Sequence, residues 1–135
     1  MMSLKPNILV VDDEVDSATV MAEILARRGY RVTHITDSAK ALETFAAAPG
    51  DFDLMVTDLT MPGMMGDALS REVLAVRGDL PILLVTGAGT VATIRSLEKI
   101  GVREVLCKPL STAKLTAAVR SALDGVDKQP ATPSA

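Results

Sequence analysis

Five short apolar runs, beginning near Ile8, Val32, Leu54, Ile82 and Val102, are each followed by a longer segment with helical spacing. A chain that alternates in this way folds as repeated βα units. Five such units in 135 residues fill one domain and leave no room for a second core. The runs Ile8–Val11, Leu54–Val56 and Ile82–Val85 are apolar without a break, as expected of parallel strands covered by helices on both faces, so they are placed in the middle of the sheet. Arg31–Ile35 instead alternates polar and apolar residues, which suits a strand with one poorly covered side, so it is placed outermost.

Between the strands, Val15, Ala18, Ala22 and Leu25 form one apolar helical stripe, and Leu69, Val73 and Val76 a second. Gly29 is read as ending the first helix. Leu115, Ala118, Val119 and Ala122 give the last helix a buried face, with Ser111 as its N-cap and Gly125 just past its end. The folded unit therefore spans residues 7–124. Residues 125–135, with Pro130 and Pro133 among small polar residues and no apolar period, read as a disordered tail or linker.

The balance of charge removes several classes of function. Seventeen acidic against 14 basic residues give a net charge of -3, with no run of Lys or Arg, so neither direct nucleic-acid binding nor attachment to an anionic membrane has its basic footprint. Three aromatic residues, Tyr30, Phe45 and Phe52, provide no platform for stacking bases. No segment approaches the roughly 18 apolar residues of a membrane span, and the amino terminus lacks the pattern of a secretory signal. The single Cys107 forms no internal disulfide and no CxxC metal framework, and a reducing cytoplasm fits it best.

In an open parallel sheet, ligands bind beyond the carboxyl ends of the strands, where the strand order reverses. The first strand leads into Asp12, Asp13 and Glu14, the third into Asp58, the fourth into Thr86 and the fifth into Lys108. Right-handed connections bring these ends to one edge of the sheet. Each residue alone has a plain structural explanation. The first acids could cap the next helix, Asp58 and Thr86 could be turn residues, and Lys108 a solvated charge. Together they make a cleft of carboxylates, a hydroxyl and an ammonium. Carboxylates in such proximity repel unless a cation intervenes, and oxygen-only ligands suit a hard ion, Mg²⁺ being the natural candidate.

At these residues the chain resembles the receiver domain of two-component response regulators over residues 7 to about 124. The resemblance is carried by Ile8-Leu9-Val10-Val11-Asp12-Asp13-Glu14, by Asp53 through Asp58 to Leu59-Thr60-Met61-Pro62-Gly63-Met64, by Val85-Thr86-Gly87 and by Cys107-Lys108-Pro109-Leu110. It implies a flavodoxin-like (βα)5 sheet of strand order 2-1-3-4-5. It also implies a phosphoacceptor switch rather than a conventional enzyme. Asp58 would take a phosphoryl group from a phosphohistidine on a sensor histidine kinase or a histidine phosphotransfer domain. Asp13, Asp58 and the backbone carbonyl of Thr60 would bind Mg²⁺, with Asp12 acting through a metal-bound water. Thr86 and Lys108 would hold the phosphoryl oxygens, and the Lys108–Pro109 bond would be cis. The output face would be the helix after Thr90, the strand around Val105 and the last helix, a face through which a homodimer is also compatible with the resemblance. The stretches around Thr86 and Asp58 look most like receivers attached to hybrid sensor kinases.

One residue departs from the pattern: Val105 stands where these domains usually carry a Tyr or Phe that swings inward on activation. A shift of Thr86 is then expected to pull the Gly87-Ala88-Gly89 loop instead. This departure keeps a constitutive interaction module as an alternative. A Mg²⁺-dependent aspartyl-phosphate phosphatase is a lesser one, since the chain has no insertion to enclose a substrate. The acidic loop after the first strand, which repels phosphate, and the lack of aromatics to stack a ring weigh against a flavin carrier of the same fold. Met61, Met64 and Met65 are read as loop packing, His34 as a surface residue remote from the cleft, and Cys107 as a small hydrophobe packed on a helix. Ala88 and Thr60 flank the site and, by the resemblance, influence how fast water removes the phosphoryl group.

Overall fold

The structure is a computed structural model and describes residues 5–87 and 89–127. Five strands, β1 (Asn7–Val11), β2 (Arg31–Ile35), β3 (Leu54–Asp58), β4 (Ile82–Thr86) and β5 (Glu104–Cys107), alternate with α1 (Val15–Arg27), α2 (Ser38–Ala47), α3 (Gly66–Val76), α4 (Val91–Ile100) and α5 (Thr112–Asp127). All strands are parallel, in the order β2-β1-β3-β4-β5. The three unbroken apolar runs are central, and the alternating run is an edge strand, as their patterns predict.

Strand parity sorts the core into two layers. Leu9, Val11, Met55, Ile82 and Leu84 face one way, against Ala41 and Phe45 of α2, Leu69 and Val73 of α3 and Leu97 of α4. Ile8, Val10, Leu54, Val56, Leu83 and Val85 face the other way, against Met21 and Leu25 of α1 and Leu115, Ala118, Val119 and Ala122 of α5. Two covered faces explain why these strands are apolar at every position: successive side chains point to opposite layers, and both are dry.

The helix ends obey local chemistry. Gly29, at φ +94°, closes α1 with its N–H donating to the Ala26 carbonyl at 3.0 Å, a left-handed geometry that side chains other than glycine resist. Ser111 caps α5, its hydroxyl accepting from the Lys114 N–H at 3.1 Å.

Several expectations are corrected. Val15 is 63 % exposed and Val76 47 % exposed, at the first residue of α1 and the last of α3. Met21 completes the α1 stripe, and Leu80 closes the core beyond α3. Val102 is buried in the turn before β5, which begins at Glu104. Gly125 does not end α5, which continues to Asp127. A β-carbon on Gly125 would overlap the Arg103 guanidinium, so the glycine there admits a neighbouring side chain. The rest of the expected tail, residues 128–135, lies outside the described residues.

Candidate functional site

The strand register sets the site. Val11 pairs with Thr57, Asp58 with Val85, and Thr86 with Cys107. Residues just beyond these pairs therefore emerge at one edge of the sheet. Asp12, Asp13 and Asp58 each bring a carboxylate oxygen within 4.8 Å of the others. Asp12, Asp58 and Thr86 are buried, and Asp13 is half-buried. Lys108, following the cis Lys108–Pro109 bond, reaches back so that its Nζ lies 2.8 Å from Asp58 Oδ1. The Lys108 N–H donates to the Thr86 carbonyl at 2.8 Å, which ties the ends of β4 and β5 together. Thr60 is exposed, two residues after Asp58. Ala88 lies outside the described residues.

The cluster carries three carboxylates, two of them buried, against one ammonium, an excess of negative charge. Burial raises the Asp12 carboxyl above the usual carboxylate value. The N–H of Glu14, donating to Asp12 Oδ1 at 3.0 Å, works against that rise, whereas the charges of Asp58 and Asp13 add to it. The hydrogen bond to Asp58 raises Lys108 above 10.5, with burial opposing. Oxygen donors alone, crowded and short of positive charge, fit a hard divalent cation that retains water. Glu14 is exposed and gives α1 no side-chain cap, so capping does not account for the acidic run.

The state of Asp12 has a measurable consequence. Between the ordinary carboxylate value and its raised value, the folded protein holds a proton that the unfolded chain has lost. Stability from this group therefore falls as pH rises through that window, and above it the carboxylate is a net cost. Asp12→Asn, which keeps an acceptor for the Glu14 N–H, is expected to raise the melting temperature of the metal-free protein at pH 7 by a few degrees. It is also expected to blunt the stabilisation that Mg²⁺ gives the wild type. Melting curves with EDTA and with Mg²⁺ check both effects, and a lower melting temperature for the variant in EDTA contradicts the account.

Beside the cluster, a cleft of about 410 Å³ shares Asp12 and Lys108 with it and runs between α1 and the β5–α5 turn, along Ser17, Val20, Met21 and Leu110. His34 is exposed on β2. Met61 is buried in the core, Met64 is half-buried and Met65 is 41 % exposed, so loop packing describes the first two only. Cys107 is half-buried, and its Sγ lies beside Gly89 in the segment before α4. Two residues next to Asp58, Thr57 and Gly66, escape a reading of the sequence, because one looks like an ordinary strand residue and the other like a turn glycine.

The fold and the acids gathered at its strand ends are those of a doubly wound domain with an acidic site at one sheet edge. The family model for the response regulator receiver domain matches residues 8–120, and the chain belongs to that family. It is 34 % identical over 122 residues to the C4-dicarboxylate transport transcriptional regulatory protein DctD of Rhizobium meliloti, covering 90 % of this chain and 26 % of that protein. It is 33 % identical over 128 residues to the aerobic respiration control sensor protein ArcB of Escherichia coli, covering 93 % of this chain and 16 % of ArcB. The chain thus spans 26 % of the length of the first of these relatives and 16 % of the second. Among solved structures, a receiver domain protein of Clostridium thermocellum superposes with a TM-score of 0.84 at 27 % identity, over 88 % of this chain and 94 % of that one. Among the described residues, no helix is long and apolar enough to cross a membrane.

Proposed function

We propose that Asp58 is the phosphoacceptor of this receiver domain and that the residues around it catalyse its own phosphorylation and dephosphorylation. The observation that carries the reading is the convergence of Asp12, Asp13, Asp58 and Lys108, from three strand ends, on one buried carboxylate. A carboxylate needs no deprotonation to attack at neutral pH. An Asp58 oxygen forms a bond to phosphorus as the phosphorus–nitrogen bond of a phosphohistidine breaks, and the imidazole nitrogen keeps the bonding pair.

Lys108 already lies within hydrogen-bonding distance of the acceptor oxygen, and with the Thr86 hydroxyl it would hold the phosphoryl oxygens. Such fixed donors act by stabilising charge that spreads over the transferring group. Asp12, Asp13, Asp58 and the Thr60 carbonyl would hold Mg²⁺, which, when bound, supplies the positive charge that the three carboxylates and the incoming phosphoryl group lack. The cleft along α1 offers the donor an approach past Lys108. The donor would be a histidine kinase or a histidine phosphotransfer domain in a reducing cytoplasm. The working unit would be residues 7–124, signalling through α4, β5 and α5. Val105 of β5 is half-buried against the α2–α3–α4 layer, a smaller filling for that position than an aromatic ring.

The direct test is chemical location of the modified residue. After incubation with a phosphorylated histidine phosphotransfer domain and Mg²⁺, borohydride reduction and peptide mass mapping are expected to mark Asp58. A mark on Asp12 or Asp13 instead overturns the assignment.

A further inference from the structure

The main chain of Asp58 is held from several directions. The Thr57 hydroxyl, in a residue with no exposure at all, donates to the Asp58 carbonyl at 3.0 Å. Beyond the strand, the α-carbon of Gly66, the first residue of α3, rests against the same carbonyl. A β-carbon there would overlap the Asp58 oxygen, and would stand 2.9 Å from the Leu59 α-carbon and 3.0 Å from the Asp58 carbonyl carbon. Main-chain atoms cannot swing away as a side chain could, so only glycine lets α3 begin this close. The Gly66 N–H donates to the Leu59 carbonyl, and the Leu59 N–H to the Val85 carbonyl, both at 2.8 Å. A buried hydroxyl at position 57 is otherwise a poor choice, since valine has the same shape and nothing to desolvate.

We infer that Thr57 and Gly66 are positioning residues for phosphoryl transfer, which fix the main chain from which the Asp58 carboxylate reaches Asp12, Asp13 and Lys108. The inference rests on the reading of Asp58 as phosphoacceptor. Neither residue touches the reacting atoms. Their effect passes through the Asp58 main chain, where a small displacement carries directly to the carboxylate and its 2.8 Å contact with Lys108.

The test uses the full chain carrying Thr57→Val, Thr57→Ser or Gly66→Ala. Three quantities are read: the Asp58 and Leu59 amide resonances without metal, Mg²⁺ affinity by calorimetry without any phosphodonor, and the initial rate with acetyl phosphate. Thr57→Val is expected to melt no lower than the wild type, yet to shift both resonances and to bind Mg²⁺ about fivefold more weakly, the worth of one hydrogen bond. Thr57→Ser, which keeps the hydroxyl, restores Mg²⁺ binding although it packs less well. Gly66→Ala is expected to lose on the order of a hundredfold in rate, as a misplacement near 1 Å does. Should Gly66→Ala fail to fold, the Thr57 pair decides. Wild-type resonances and Mg²⁺ affinity in Thr57→Val overturn the inference. A wild type that never gains a phosphoryl group overturns the phosphoacceptor reading instead, and the resonances and Mg²⁺ affinities still judge the positioning.

Discussion

Lys108→Met is expected to slow phosphorylation by acetyl phosphate about a hundredfold, the usual cost of removing one fixed donor from developing charge. The substitution keeps the length of the side chain but removes the only cation described within 4 Å of Asp58. It leaves a nearly buried carboxylate beside Asp12 and Asp13 with no ammonium to offset it, so the metal-free protein is also expected to melt lower at neutral pH. The pH dependence follows from the sign of the Lys108 shift. Its folded value is raised above 10.5, chiefly by the hydrogen bond to Asp58. The stability it contributes is therefore fully present below 10.5 and lost as pH rises through the higher folded value. The wild type's advantage in melting temperature over Lys108→Met is expected to hold near pH 7 and to disappear in strong alkali. Initial rates by intact mass, with melting curves across pH, check both statements, and an unchanged rate contradicts the role given to the ammonium.

Leu84→Ala is expected to cost about 2–5 kcal/mol, among the largest effects of any single truncation in this chain. Leu84 has no exposure and lies in β4 between Thr57 of β3 and Val105 of β5, on the face covered by α2, α3 and α4. Strands on both sides and helices above leave the cavity little room to collapse. For a domain of this size the loss corresponds to a fall in melting temperature of roughly 10–20 °C. Leu84 belongs to the core layer under α2, α3 and α4 and is not part of the carboxylate cluster, so at low temperature the folded fraction should still bind Mg²⁺ as the wild type does. Thermal and urea denaturation measure the cost, and a change below about 1 kcal/mol would mean that β4 is not the packed centre of the sheet.

The legibility of this fold has a physical origin. Strands buried on both faces are apolar at every residue, so β1, β3 and β4 stand out and their central places follow. The edge position of β2 follows from its alternation. The site was legible for a topological reason: a parallel sheet gathers its carboxyl ends, so the polar residue after each apolar run is a candidate before any distance is known. What spacing does not reveal is where a helix end lies open to solvent. Val15 and Val76 keep the period of their stripes but are exposed at the ends of their helices, and Val102 is buried without being in a strand. Gly125 has the composition of a stop, yet it lies inside α5 beside the Arg103 guanidinium, a contact that spacing does not show. Thr57 and Gly66 are hidden for the same cause, because what they touch is main chain, and main-chain contacts leave no pattern in the order of side chains.

The central claim is that Asp58 accepts a phosphoryl group in a Mg²⁺-dependent way, and intact mass spectrometry tests it most directly. Wild type and Asp58→Asn are incubated with acetyl phosphate and Mg²⁺, with EDTA controls. The wild type is expected to gain the mass of one phosphoryl group, labile in alkali and abolished by EDTA, while Asp58→Asn gains none. A wild type that binds Mg²⁺ yet stays unmodified by acetyl phosphate and by phosphohistidine donors, or an Asp58→Asn variant that gains the same mass, contradicts it.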